Sequence, residues 1–122
     1  MRLDAEGHPI LLGEASAVES GLAYLRSIQN EDGGWPYQNP SDFGTDSDTN
    51  STALVVQALI AAGEDLEEWS DPQDWLASMQ LDNGAFAYQE AFPDANLLAT
   101  IAVIPALEGA PLNAWMPEAA AE

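Results

Sequence analysis

Ser27-Ile28-Gln29-Asn30-Glu31-Asp32-Gly33-Gly34-Trp35-Pro36-Tyr37 returns 51 residues later as Ser78-Met79-Gln80-Leu81-Asp82-Asn83-Gly84-Ala85-Phe86-Ala87-Tyr88. Ser, Gln, a turn Asp or Asn, Gly, an aromatic and Tyr keep their places. A second match follows at an offset of 46, where Asp48-Thr49-Asn50 aligns with Asp94-Ala95-Asn96 and Gly63 with Gly109. Self-similarity at a fixed period marks a repeat architecture.

The segments between these motifs read as helices. Ser16-Ala17-Val18-Glu19 is a capping-box pattern, and Val18, Leu22, Leu25 and Ile28 follow at helical spacing. This predicts a first helix that stops near Asn30. A second is expected from Thr49 to Ala62, apolar nearly all round and closed by Gly63. A short third begins at Pro72, capped by Ser70 or Asp71, with Trp75, Leu76 and Met79 facing inward. The fourth starts at Asp94 to Asn96 and runs to Gly109, with Pro105 expected to kink it. No strand-like alternation competes. The expected class is therefore all-α, two helical hairpins of about four helices, flanked by an N-terminal segment (1–15) and a loose acidic tail (111–122), with the repeats over 16–110. A helical hairpin cannot bury both faces alone, so stacking is implied.

The repeated motif has a mechanical role. Gln29 or Gln80, at a helix end, can offer its amide to orphan carbonyls and its oxygen to the N–H groups of the following turn. Gly33 and Gly84 permit a left-handed turn. Trp35 or Phe86 covers the junction with a large apolar face.

Composition narrows the partners. The 122 residues hold 21 acids against two Arg and no Lys, for a net charge of −19. Neutralising phosphates needs a Lys/Arg surface, so nucleic acid and anionic membrane surfaces are excluded. Cationic partners, divalent metals or a high-salt habitat remain compatible, as does a merely solvated acidic surface. No run of about 18 apolar residues exists to span a membrane. Met1 to Gly13 carries one Arg and a short apolar patch, so no secretory leader is written there. The absence of Cys removes disulfides and Cys-ligated zinc, and leaves the compartment open.

Gly21-x-x-Tyr24-Leu25-x-x-x-Gln29-x-x-x-Gly33-x-Trp35 and Pro72-x-x-Trp75-Leu76-x-x-x-Gln80-x-x-x-Gly84-x-Phe86 together resemble the "QW" repeat of the squalene cyclase, protein prenyltransferase and cobalamin-transport family. The resemblance covers Ser16 to Pro111. It implies an α/α toroid in which helices one and three are outer, and two and four inner. Four helices are a minority of such a ring. The resemblance therefore implies the C-terminal fragment of a larger bacterial repeat protein, or a piece that pairs with other toroid repeats or with its own copies through exposed hairpin faces.

The one dense acidic constellation at a helix start is Asp46-Ser47-Asp48-Thr49-Asn50-Ser51-Thr52-Ala53. Capping is the first reading: Asp48 or Asn50 accepts N–H bonds from the second helix, and Asp94 and Asn96 do the same for the fourth. The second comes by resemblance. Class II terpene cyclases begin an inner helix with Asp-x-Asp-Asp-Thr-Ala and protonate an alkene or epoxide there. Here Asn50 and Ser51 replace the two adjacent acids, so Asp48 alone remains as a catalytic alternative. The third is a cation. An EF-hand fails, because Ser51 and Gln57 stand where Gly and Glu are needed, leaving a loose divalent site from Asp42, Asp46 and Asp48. His8 is the lone His, and the family's zinc site needs a Cys that is missing. Asn50-Ser51-Thr52 is also a formal glycosylation sequon.

The preferred expectation is a non-catalytic helical-repeat module, without cofactor or metal, that binds a ligand or partner protein through Trp35, Tyr37, Asp46, Asp48, Asn50 and Tyr88. The structural repeat residues are Gln29, Gly33, Trp35, Gln80, Gly84 and Phe86. The alternative is a fragment of a terpene cyclase or prenyltransferase whose active site is completed by other repeats.

Overall fold

The computed structural model of the chain describes residues 12–111, with side chains from residue 16. His8, Trp115 and the tail beyond Pro111 lie outside the described residues. The order is α1 (Leu12–Ile28), α2 (Thr49–Ala61), a 3-10 turn (Leu66–Trp69), α3 (Pro72–Ser78), β1 (Phe86–Gln89), β2 (Phe92–Asn96) and α4 (Leu97–Leu107).

α1 begins four residues before the Ser16 capping box. Glu14 and Ala15 are good helix formers, so the helix runs through Ser16 and that residue does not mark its start. Leu22, Leu25 and Ile28 dock onto a small core of Trp35, Leu59 and Trp69, while Val18 is half exposed.

α2 is the central element. It packs chiefly against α4 and also against α3 and β1. Ala53 and Val56 join Leu76, Val103 and Ala106 in the larger core, and Leu59 reaches the smaller one. Each fully buried Val or Leu contributes about 1.5–3 kcal/mol. Gly63 and Gly109 close α2 and α4 at φ +77° and +78°. Asp71 precedes α3 in a left-handed conformation without a side-chain cap bond, contrary to the expectation for that helix. Pro105 falls in the last turn of α4, two residues before it ends.

The all-α expectation is overturned by a two-stranded antiparallel sheet between α3 and α4, so the fold mixes α and β. Phe86 pairs with Asn96, Ala87 with Ala95 and Gln89 with Phe92, around a Glu90–Ala91 turn and with a bulge in β2, where Pro93 and Asp94 face Tyr88. The cause is visible where the two repeats diverge. The Ala87 N–H donates to the Met79 carbonyl at 3.0 Å, extending the ladder back to the end of α3. The matching position in the first repeat is Pro36, which has no N–H to give. The first repeat therefore crosses from Trp35 to Asp48 by an irregular loop. Pro93 is tolerated in β2 because that strand is an edge.

Candidate functional site

The two repeat turns are built alike. Gln29 Nε2 donates to the carbonyls of Gly33 (3.0 Å) and Trp69 (2.7 Å), and Gln80 Nε2 to that of Gly84 (3.1 Å). The amides thus hold the following turn rather than the helix-end carbonyls. Gly33 and Gly84 take φ values of +94° and +93°. Trp35 is 0% exposed, its indole N–H donates to the Leu25 carbonyl at 2.8 Å, and its ring lies 6.0 Å from that of Trp69. The Arg26 guanidinium sits 4.0 Å over the other ring.

Each junction aromatic is also tied to the next helix. The Trp35 N–H donates to Thr52 Oγ1 and the Phe86 N–H to Thr100 Oγ1, both at 2.9 Å. Asp48 caps α2 by accepting from the Ser51 N–H (2.7 Å), and Asn96 caps α4 by accepting from the Ala99 N–H (2.8 Å). The geometric equivalents are therefore Asp48 with Asn96 and Thr52 with Thr100. The sequence match of Asp48 to Asp94 is two residues out of step, and Asp94 lies in exposed β2 rather than at a cap.

Asp48 is 1% exposed. One carboxylate oxygen takes the Ser51 N–H and the other the Ser51 hydroxyl at 2.9 Å. Burial raises its pKa above the usual carboxylate value, and the bonds from Ser51 and the Asn50 N–H oppose that rise. Thr49 Oγ1 donates to the Ala87 carbonyl at 2.6 Å and Gln89 Nε2 to the Asp46 carbonyl at 3.2 Å. These two bonds lay the strand hairpin against the start of α2.

The result is a cavity of about 420 Å³ between the α1–α2 loop and the hairpin, lined by Tyr37, Phe43, Asp46, Asp48, Tyr88 and Phe92 among others. Four of the six expected ligand residues, Tyr37, Asp46, Asp48 and Tyr88, meet there. Trp35 is sealed in the core, and Asn50 does not line the cavity; its side-chain oxygen is buried without a partner. Phe43 and Phe92 were not singled out by the sequence, because neither sits on a periodic element. The bulge falls on β2, where Pro93 and Asp94 together face Tyr88, so no even spacing along that strand points to Phe92. The Tyr88 hydroxyl is raised in pKa by burial, then by the charges of Asp48 and Tyr37.

Across Asp46 lies a second cavity of about 450 Å³ bordered by Glu31, Asp32, Glu90 and Trp75. The indole N–H of Trp75 is buried without a partner. Among the described residues, no three His, Cys, Asp or Glu converge closely enough to hold a metal ion. Asp42 borders a separate hollow with Pro40 and Phe43. No described helix is long and apolar enough to cross a membrane.

Over 76 residues the chain is 36% identical to the squalene–hopene cyclase of Zymomonas mobilis, a match that covers 56% of this chain and 12% of that protein. The chain thus spans a small part of the length of this curated relative. No family model matches the chain. No solved structure matches it. The partial similarity points toward the squalene cyclase superfamily.

Proposed function

We propose that this chain is a non-catalytic binding module made of two squalene-cyclase-like repeats, taking a small ligand in the cleft between the α1–α2 loop and the strand hairpin. The observation that carries this reading is the state of Asp48. Its two oxygens are engaged by Ser51 as a helix cap, and the neighbouring positions, Asn50 and Ser51, supply no second acid. Above that anchored carboxylate, exposed rings border an open cavity. The arrangement fits a site that holds a ligand better than one that delivers a proton.

The test is a titration of the isotope-labelled chain, followed by NMR, with choline, 3,3-dimethyl-1-butanol, geraniol, benzoate and glucose. At least one probe is expected to shift the resonances of Tyr37 and Tyr88. A panel that leaves every cleft residue unmoved would overturn the reading.

A second reading is favoured by the similarity to squalene–hopene cyclase. The chain would then be part of a longer cyclase-like or prenyltransferase-like protein. The exposed Leu97, Leu98, Ile101 and Ile104 of α4 would be covered there by further repeats or by a second copy. The coding sequence on either side decides it: further helical repeats with an intact acid motif favour the enzyme fragment.

A further inference from the structure

We propose that the cleft is a recognition site for a quaternary ammonium group, an inference that rests on the binding-module reading and adds the class of ligand. Four aromatic residues line it from two segments: Tyr37 and Phe43 from the loop before α2, Tyr88 and Phe92 from the hairpin. Tyr37 is 81% exposed and Phe43 fully exposed, so the fold itself makes little use of them. Ring faces carry a negative quadrupole and attract cations placed over them.

The surrounding charge has the matching sign. Asp46 and Asp48 lie in the lining, and no Arg does. Among the described residues the one Arg, Arg26, is stacked on Trp69 and donates to the Glu68 carbonyl. Glu31, Asp32 and Glu90 border the cavity on the other side of Asp46. Burial raises the Tyr88 hydroxyl's pKa first and the Asp48 charge raises it further, in keeping with a negative field at that end of the cleft.

The donor set selects among cations. A divalent metal needs several oxygen ligands, and no three acidic groups converge here. A primary ammonium carries three N–H donors that are best met by several oxygens held close together; Ser51 already engages both Asp48 oxygens, which leaves Asp46 as the one free carboxylate in the lining. A trimethylammonium group has no N–H to satisfy. It asks for apolar ring surface and a diffuse negative field, which are the two things the cleft offers.

The test compares choline with 3,3-dimethyl-1-butanol, its neutral isostere, on the full 122-residue chain by NMR titration. Choline is expected to shift Tyr37, Phe43 and Tyr88 with an affinity about tenfold tighter than the isostere, and to weaken as NaCl is raised. Phe43→Ala and Phe92→Ala are each expected to weaken choline about two- to fivefold, with melting curves like the parent's because both rings are exposed. Equal binding of the two probes overturns the cationic assignment and leaves the cleft as a binding site. Choline failing to shift the cleft while geraniol, benzoate or glucose does so has the same meaning. Failure of every probe removes the binding-module reading as well.

Discussion

Replacing Trp35 with Ala tests the junction that organises the first repeat. The ring is fully buried, and aromatic side chains bury on the order of 150–250 Å². At roughly 25 cal/mol per Å² that is about 4–6 kcal/mol, close to the 3–5 kcal/mol typical of Trp→Ala in a core. The indole bond to the Leu25 carbonyl is lost as well, and that bond ties α1 to the junction. A domain of this size holds only about 5–15 kcal/mol in total. We therefore expect Trp35→Ala to lose from about a third to nearly all of its stability in urea denaturation followed by circular dichroism. Hydrogen exchange should show α1 released first, since its docking surface is the Trp35, Leu59 and Trp69 cluster. Trp35→Phe keeps most of the ring but leaves the Leu25 carbonyl unpaired, and should cost about 1–3 kcal/mol. A Trp35→Ala midpoint within about 0.5 kcal/mol of the parent, the scatter of ordinary surface changes, would refute the reasoning.

Other perturbations read the remaining parts of the design. Asp48 has a raised folded pKa, so its favourable contribution is present below the unfolded value near 3.8 and is lost as pH rises through the folded value. Asp48→Asn, which copies the Asn96 cap of α4, should therefore match or exceed the parent's melting temperature at pH 7, with any advantage vanishing below about pH 4. Asp48→Ala removes the cap and should cost about 1 kcal/mol in urea at pH 7. Thr52→Val leaves the Trp35 N–H buried without a partner and should cost about 1–3 kcal/mol by denaturant midpoint, as should Thr100→Val for Phe86. A Cβ on Gly34 would sit 2.7 Å from the Ser47 Cβ, so Gly34→Ala should destabilise by about 1–3 kcal/mol, whereas Gly21→Ala meets open space inside α1 and should stabilise by about 0.5–1 kcal/mol in thermal melts.

What the sequence disclosed follows from how local each signal was. The start of α2 at Thr49 and the Gln-to-Gly turn at each repeat depend on residues a few positions apart, and spacing alone reveals them. The strand hairpin is different. Its register rests on Ala87 meeting the Met79 carbonyl and on Thr49 reaching Ala87 across 38 residues. Neither bond leaves a periodic trace in strands of four and five residues. The two-residue slip between Asp94 and Asn96 has a similar origin. Identity of residue type suggested one alignment, and the threonines that receive the aromatic N–H groups enforce another. Within the cleft, the Tyr recurrence marked Tyr37 and Tyr88, while Phe43 and Phe92 sit where no period predicts them. Trp69, in the connector after Gly63, escaped notice for the same reason, although it covers Trp35 and receives the Gln29 amide on its carbonyl.

The central claim is that Asp48 caps a helix and floors a binding cleft without transferring a proton. Product analysis of squalene incubated with the chain and with Asp48→Asn addresses it most directly. The account predicts that neither protein yields a cyclised product above the protein-free control. A cyclised product made by the parent and absent with Asp48→Asn would contradict it.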